Sequence, residues 1–243
     1  VVPAAPGSSS CEERRRGRGP MSPAFHDRKE AGRALGAHLA QALDRGEEVI
    51  VLGLPRGGVP VAFEVAEALD APLDVLLVRK LGVPGHEELA MGAIASGGVR
   101  VLNDDLVEEL GIPPRVVDAT AAREQEELKR RERMYRGERP YPSLTGRTVV
   151  LVDDGLATGA TMRAAAAGVR QLGPASVIVA VPVAAPDTVE SLRREVDDVI
   201  TVLTPERLMS VGQWYGDFSQ TTDDEVRELL GRAARQRAGR AGA

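Results

Sequence analysis

The chain has 243 residues, 43% of them hydrophobic and 28% charged, and its 31 basic and 36 acidic side chains give a formal net charge of −5. This is enough length for one large α/β domain, and so mild an acidic excess gives no electrostatic reason to expect DNA or RNA as a partner. The single cysteine, Cys11, excludes a disulfide framework and fits a reducing cytoplasmic setting; His26, His38 and His86 show no zinc spacing, and no apolar run reaches the roughly 18 residues of a membrane helix.

Residues 1–20 are rich in Pro, Gly, Ser and Arg and read as a disordered N-terminal tail. Arg14, Arg15, Arg16 and Arg18 are followed by no apolar stretch of the kind a signal peptide needs. Residues 231–243, mostly Ala, Arg and Gly, read as a second disordered tail, which leaves 21–230 as the folding unit.

From residue 27 onward helix and strand signals alternate. Leu35, Leu39 and Leu43 mark a helix that ends near Gly46, and Val49–Leu52 is a short buried strand. A glycine-rich turn, Leu54–Pro60, leads into a helix through Val61, Val65 and Leu69, and 73–78 reads as a second buried strand. Four breakers, Gly82, Pro84, Gly85 and Gly92, make 81–92 a long loop. Residues 93–95 and 99–102 flank Gly97-Gly98 as a tight strand pair, and Asn103 is placed to cap a short helix over 104–110. The charged block 115–136 reads as a solvated helix. A strand at 148–152, a helix over 162–172, a strand at 176–181, a helix at 187–195 and a strand at 198–203 complete the pattern. Such alternation predicts a Rossmann-like α/β fold, a parallel sheet flanked by helices.

The most informative stretch is 149–161. Four apolar residues form a strand buried on both faces, and Asp153 and Asp154 sit where it ends, the place where open α/β sheets bind ligands. The small residues of Ala157-Thr158-Gly159-Ala160-Thr161 let backbone N–H groups approach an anion at a helix N-terminus, and the two threonines add hydroxyl donors. One end of the segment therefore suits a phosphate. The other suits a polyol, because ionised carboxylates accept hydrogen bonds from vicinal hydroxyls. The plainer alternative is an Asp-Asp turn before a capped helix.

This segment resembles the PRPP-binding signature of the type I phosphoribosyltransferases: an apolar strand, two acidic residues, then Thr-Gly-x-Thr. Leu54–Ala62, Val78–Gly82 and Glu88–Ala95 extend the likeness over about 200 residues, to a bacterial group of predicted phosphoribosyltransferases whose acceptor is unknown. The resemblance implies a sheet of that family's kind, with a small hood formed from the chain ends, chiefly 204–230. It implies that Asp153 and Asp154 hold the ribose hydroxyls and that Ala157 to Thr161 hold the 5-phosphate. Arg56, Gly57 and Gly58 fall in the pyrophosphate loop, where the family often has a cis peptide, and Arg79 and Lys80 fall where relatives contact pyrophosphate. Mg²⁺ would be carried by PRPP, with no dedicated protein cage. The family commonly dimerises, which makes a homodimer the expected assembly.

The same resemblance makes 81–92 a catalytic lid, with Glu88, beside Glu87, as the acid–base candidate. Trp214 and Tyr215, in an aromatic cluster with Phe218, become the candidates for lining the acceptor pocket. Each assignment has a plainer alternative: a solvated charge pair at 79–80, a surface glutamate pair at 87–88, core packing at 214–215. Ala157 is a departure, because hypoxanthine–guanine enzymes of the family usually carry Asp there. The expected activity is transfer of phosphoribose from PRPP to a nitrogenous small-molecule acceptor, a nucleobase in the first instance. A PRPP- or nucleotide-sensing regulator and a hydrolase of a phosphoribosyl compound are the rival readings.

Overall fold

The computed structural model describes residues 23–44 and 46–241; the expected tail 1–20 lies outside them. Helix α1 (Arg28–Ala42) starts at Asp27, whose carboxylate accepts from the Glu30 N–H at 2.8 Å. Strand β1 (Val49–Gly53) and helix α2 (Gly58–Leu69) follow. The two helices approach closely because Gly32 and Gly36 face α2: a Cβ on Gly32 would lie 2.8 Å from the Val61 carbonyl oxygen. The short strand β2 (Leu73–Val75) leads to β3 (Val78–Val83), β4 (His86–Ala95) and β5 (Val99–Leu102). Helices α3 (Asp104–Glu109) and α4 (Pro114–Arg136) come next. Then follow β6 (Thr148–Val152), α5 (Ala160–Arg170), β7 (Ser176–Val183), α6 (Pro186–Leu192) and β8 (Asp198–Leu203). A single 3₁₀ turn at Val211–Trp214 and helix α7 (Asp223–Ala241) complete the described chain.

Strands β2-β1-β6-β7-β8, in that order, form a parallel sheet. Alternation along β6 divides the core. Val150 and Val152 pack with Leu35, Leu39, Val61 and Val65 of α1 and α2, whereas Val149 and Leu151 pack with Met162, Ala165, Val169 and Val189 of α5 and α6. Helices thus cover both faces, which is why these strands are apolar almost throughout.

Strands β3, β4 and β5 form a separate antiparallel sheet. Two expectations are corrected here. The expected strand 73–78 ends at Val75, and the chain turns off at Leu76 and Leu77, where the Leu77 N–H donates to the Ser96 hydroxyl at 3.1 Å. An unbroken apolar run hides that exit. The expected loop 81–92 is a β-hairpin, with Gly82, Pro84 and Gly85 serving its tip and the register irregularities beside it. The strand pair about Gly97-Gly98 and the Asn103 cap form as expected, the cap accepting from the Leu106 N–H at 3.3 Å.

Helix α4 is less solvated than its charge suggests. It buries Val117, Ala121, Leu128 and Tyr135 against this second sheet and α7. Arg136, 6% exposed, is also buried, its guanidinium held by Asp74 (2.8 Å), Glu132 (3.2 Å) and the Val75 carbonyl (2.7 Å). Helix α7 corrects the expected second tail, continuing through 231–241. Val226 and Leu230 anchor it in the core, Gln236 donates to Glu67 at 2.8 Å, Arg240 pairs with Asp70, and Ala and Arg favour helix once the anchor exists.

Candidate functional site

The parallel strands β1 and β6 are neighbours in register, Gly53 opposite Val152, so the loops that follow them meet. The Leu54 N–H donates to the Val152 carbonyl at 2.8 Å. Gly57 and Gly58 then lie against the carboxylate pair. A Cβ on Gly57 would collide with the Asp154 carboxylate, and one on Gly58 would sit 2.7 Å from the Val152 oxygen and 2.8 Å from Asp153 Cα. Only glycine lets the two loops approach so closely. The Pro55–Arg56 peptide is cis, and the Arg56 side chain is exposed.

Asp153 and Asp154 are both half-buried. The Asp154 N–H donates to Asp153 Oδ1 at 2.9 Å. Burial, and then the charge of Asp154 beside it, pushes the Asp153 carboxyl well above its ordinary range. Burial also raises Asp154, opposed by Arg28, whose Nε donates to Asp154 Oδ2 at 2.9 Å. Past the pair, Leu156 is held beside Ala184 by backbone hydrogen bonds, and the Thr188 hydroxyl donates to the Ala157 carbonyl at 2.6 Å. Gly159, at φ 70°, turns the chain into α5, where a Cβ would lie 2.8 Å from Thr188 Cγ2. Ala157, Thr158, Ala160 and Thr161 are exposed around the helix N-terminus, whose first N–H groups have no partner within the helix. The turn thus opens a backbone cradle of the kind that can receive an anion, beside two carboxylates.

The other expected site residues are not all gathered here. Arg79 lies within β3 rather than at the end of a parallel strand, and its guanidinium is engaged by Glu124 of α4 through Nε at 3.0 Å. Lys80, Glu87 and Glu88 are exposed on the hairpin, with the glutamates at its tip. Tyr215 is buried between Phe25 and Phe218, with ring centroids 5.7 and 5.0 Å away, and its hydroxyl donates to the Asp154 carbonyl at 2.6 Å. It braces the carboxylate loop, and no ring face is left for a stacked base. Trp214 is half-buried in the same aromatic cluster, its indole N–H buried without a hydrogen-bond partner among the described residues.

Three contributors carry no sequence signal of their own. Arg28 lies 126 positions before Asp154, Thr188 is on α6, and Val211 sits on Gly155, where a Cβ would be 2.6 Å from Val211 Cγ1. Only the fold brings them together.

A parallel sheet flanked by helices, with paired carboxylates ending its central strand and an open Thr-Gly-x-Thr cradle opening the next helix, is the type I phosphoribosyltransferase fold. The chain belongs to the phosphoribosyl transferase domain family, whose model matches residues 24–212. A curated Mycobacterium tuberculosis protein named "Putative phosphoribosyl transferase" is 51% identical over 211 residues, 87% of this chain and 47% of its own length. The chain therefore spans about half the length of such curated relatives. The crystal structure of a Thermus thermophilus protein superposes with a TM-score of 0.76 at 45% identity, covering 85% of this chain and 97% of that one. The Bifunctional protein PyrR of Chloroflexus aurantiacus is 36% identical over 130 residues, 52% of this chain and 65% of its own.

Proposed function

We propose that the chain binds PRPP with Mg²⁺ and transfers its phosphoribosyl group to a nitrogenous acceptor, a nucleobase in the first instance, with release of pyrophosphate. The observation that carries this reading is the juxtaposition of Asp153 and Asp154 with the open 157–161 cradle on one side and the Gly57–Gly58 loop on the other. The carboxylates accept the ribose 2′- and 3′-hydroxyls, and the cradle takes the 5-phosphate through backbone N–H groups and the hydroxyls of Thr158 and Thr161. The Gly57–Gly58 loop, with exposed Arg56, takes the leaving pyrophosphate. Among the described residues no group of three or more His, Cys, Asp or Glu side chains is gathered as a metal site. Mg²⁺ would be carried by the diphosphate of PRPP, where it would supply charge neutralisation of the leaving group.

The reaction breaks the bond from C1 to the pyrophosphate oxygen and forms a bond from C1 to the acceptor nitrogen. The protein contributes positioning and charge. The β3–β4 hairpin is proposed as the cover over the reacting centre, with Glu88 at its tip as the acid–base group and Lys80 on the pyrophosphate side. Trp214 is the proposed acceptor contact; Tyr215 is assigned to bracing Asp154.

Calorimetric titration of Mg²⁺–PRPP into the full chain tests the proposal, followed by a panel of bases monitored for pyrophosphate release. In the Asp153→Asn/Asp154→Asn double variant, affinity is expected to fall by about 2–4 kcal/mol, as for lost hydrogen bonds to charged groups. Unchanged affinity in a folded double variant removes the ribose assignment. Binding without release for any base replaces transfer with sensing, and release in the absence of any base replaces it with hydrolysis.

A further inference from the structure

We propose that Arg28 is a positioning residue that ties the hood to the second carboxylate of the pair, so that a ligand held at Asp153 and Asp154 is felt by the aromatic segment 211–219. This rests on the ribose-binding reading of the pair. Arg28 is the first residue of α1, far in sequence from both segments it joins. Its Nε donates to Asp154 Oδ2 at 2.9 Å, its Nη1 donates to the Ser219 carbonyl at 2.7 Å, and its guanidinium carbon lies 4.0 Å from the centroid of the Phe218 ring. The side chains of Arg28 and Asp154 are only 12% and 15% exposed, so water screens this pair poorly. A planar guanidinium addresses two acceptors in fixed directions and stacks on a ring at once, which a lysine ammonium does not do.

A second link joins the same two regions. The Tyr215 hydroxyl donates to the Asp154 carbonyl, so the hood grips both the backbone and the carboxylate of this one residue. The segment before α1 closes the unit. Ala24 and Phe25 donate to the Trp214 carbonyl, Gly216 to the Phe25 carbonyl and Asp217 to the His26 carbonyl. Asp153 is held differently: its Oδ1 accepts the N–H of its neighbour. The two acidic residues therefore divide the work. Asp153 makes no ion pair among the described residues and is left to the ligand, and Asp154 takes one oxygen to the hood through Arg28 and keeps the other for the ligand. A shift of the Asp154 carboxylate on binding moves the guanidinium, and with it Phe218 and the Ser219 backbone.

The chain has one tryptophan, Trp214, and it lies in the hood, so its fluorescence reports this unit directly. In ligand-free protein, Arg28→Met is expected to raise acrylamide quenching of Trp214 at least about twofold, as expected when a tethered segment opens locally. Quenching equal to that of the native chain overturns the tether. On adding Mg²⁺–PRPP, the native emission is expected to change with the calorimetric midpoint. In Arg28→Met the affinity is expected to fall about tenfold, as for one lost charge-assisted hydrogen bond, and the residual binding to leave the emission unchanged. Native affinity together with a native emission response in that variant overturns the coupling. Arg28→Lys, which keeps the charge, covers the case in which Arg28→Met fails to fold. It is expected to recover the affinity but not the low quenching, and full recovery of both means that charge alone suffices and the two-way bridge is wrong. If the native chain binds no PRPP, the proposed function falls, and the ligand-free quenching comparison judges the tether by itself.

Discussion

Strands β6 and β4 both carry long apolar stretches, yet they serve the molecule differently. All five residues of β6 are buried, sealed by α1 and α2 on one face and by α5 and α6 on the other. Strand β4 is exposed over its first four residues, His86 to Leu89, and becomes buried only from Met91 inward. The platform that presents Asp153 and Asp154 is thus the most enclosed strand of the parallel sheet, and the candidate cover is a ribbon held at one end. Groups that must stay fixed relative to one another sit on the rigid element, and a segment that must let ligand in and out belongs at the low-stability end of the molecule.

The largest expected effect tests that contrast. Leu151→Ala leaves a cavity on the α5 face of β6 and is expected to cost about 2–5 kcal/mol in urea denaturation. Leu89→Ala, at a site 45% exposed, is expected to stay within about 0.5 kcal/mol. A large cost at Leu89 would mean that the hairpin tip is packed in solution, and the contrast would fail. Next in size is a pair of glycines. In Gly58→Ala the new methyl meets the backbone of Val152 and Asp153, which cannot yield, and the cost is expected at about 1–3 kcal/mol with loss of PRPP affinity. In Gly85→Ala nothing lies within 4 Å, and the cost, about 1 kcal/mol, comes from φ 82° alone with affinity retained. If Gly58→Ala binds PRPP normally, the close contact of the two loops is not needed to shape the site.

The parallel sheet was legible because strands buried on both faces leave unbroken apolar runs, as at 149–152, and because glycines and carboxylates mark their ends. The exposed turn at the start of α5 was legible for a related reason: Thr158, Gly159 and Thr161 form a local motif. What escaped was non-local or disguised. The second sheet hid because glycine and proline at 82–85 punctuate a hairpin as readily as a loop, and because Leu76 and Leu77 bridge two strands without a polar break. Helix α7 hid because its last two turns are held by ion pairs and hydrogen bonds to Glu67 and Asp70, which no periodicity announces. Tyr215 stands out in an aromatic-poor sequence, but its hydroxyl partner, the Asp154 carbonyl, is a backbone atom 61 positions away. Arg28, one of 31 basic residues, has nothing in its neighbourhood that marks it out.

A pH-dependent effect separates the two carboxylates from each other. Burial and the neighbouring charge raise Asp153 above its ordinary value of 3.8, so between that value and the raised one the folded chain holds a proton that the unfolded chain has released. With more protons bound in the folded state, stability falls as pH rises through this window, by at most about 1.4 kcal/mol per pH unit for one group. Asp153→Asn removes that titration. Relative to the native chain, the variant is therefore expected to gain stability between pH 5 and pH 8, as measured by urea denaturation at the two pH values. Its PRPP affinity is expected to change the other way, because the ionised oxygen that burdens the fold is the one assigned to the ribose hydroxyls in the proposed function. Asp154→Asn has a different signature: it leaves the Arg28 guanidinium without its anion, so it is expected to destabilise at both pH values. If Asp154→Asn is no less stable than the native chain at either pH, the Arg28 pair contributes nothing, and the division of roles between the carboxylates is wrong.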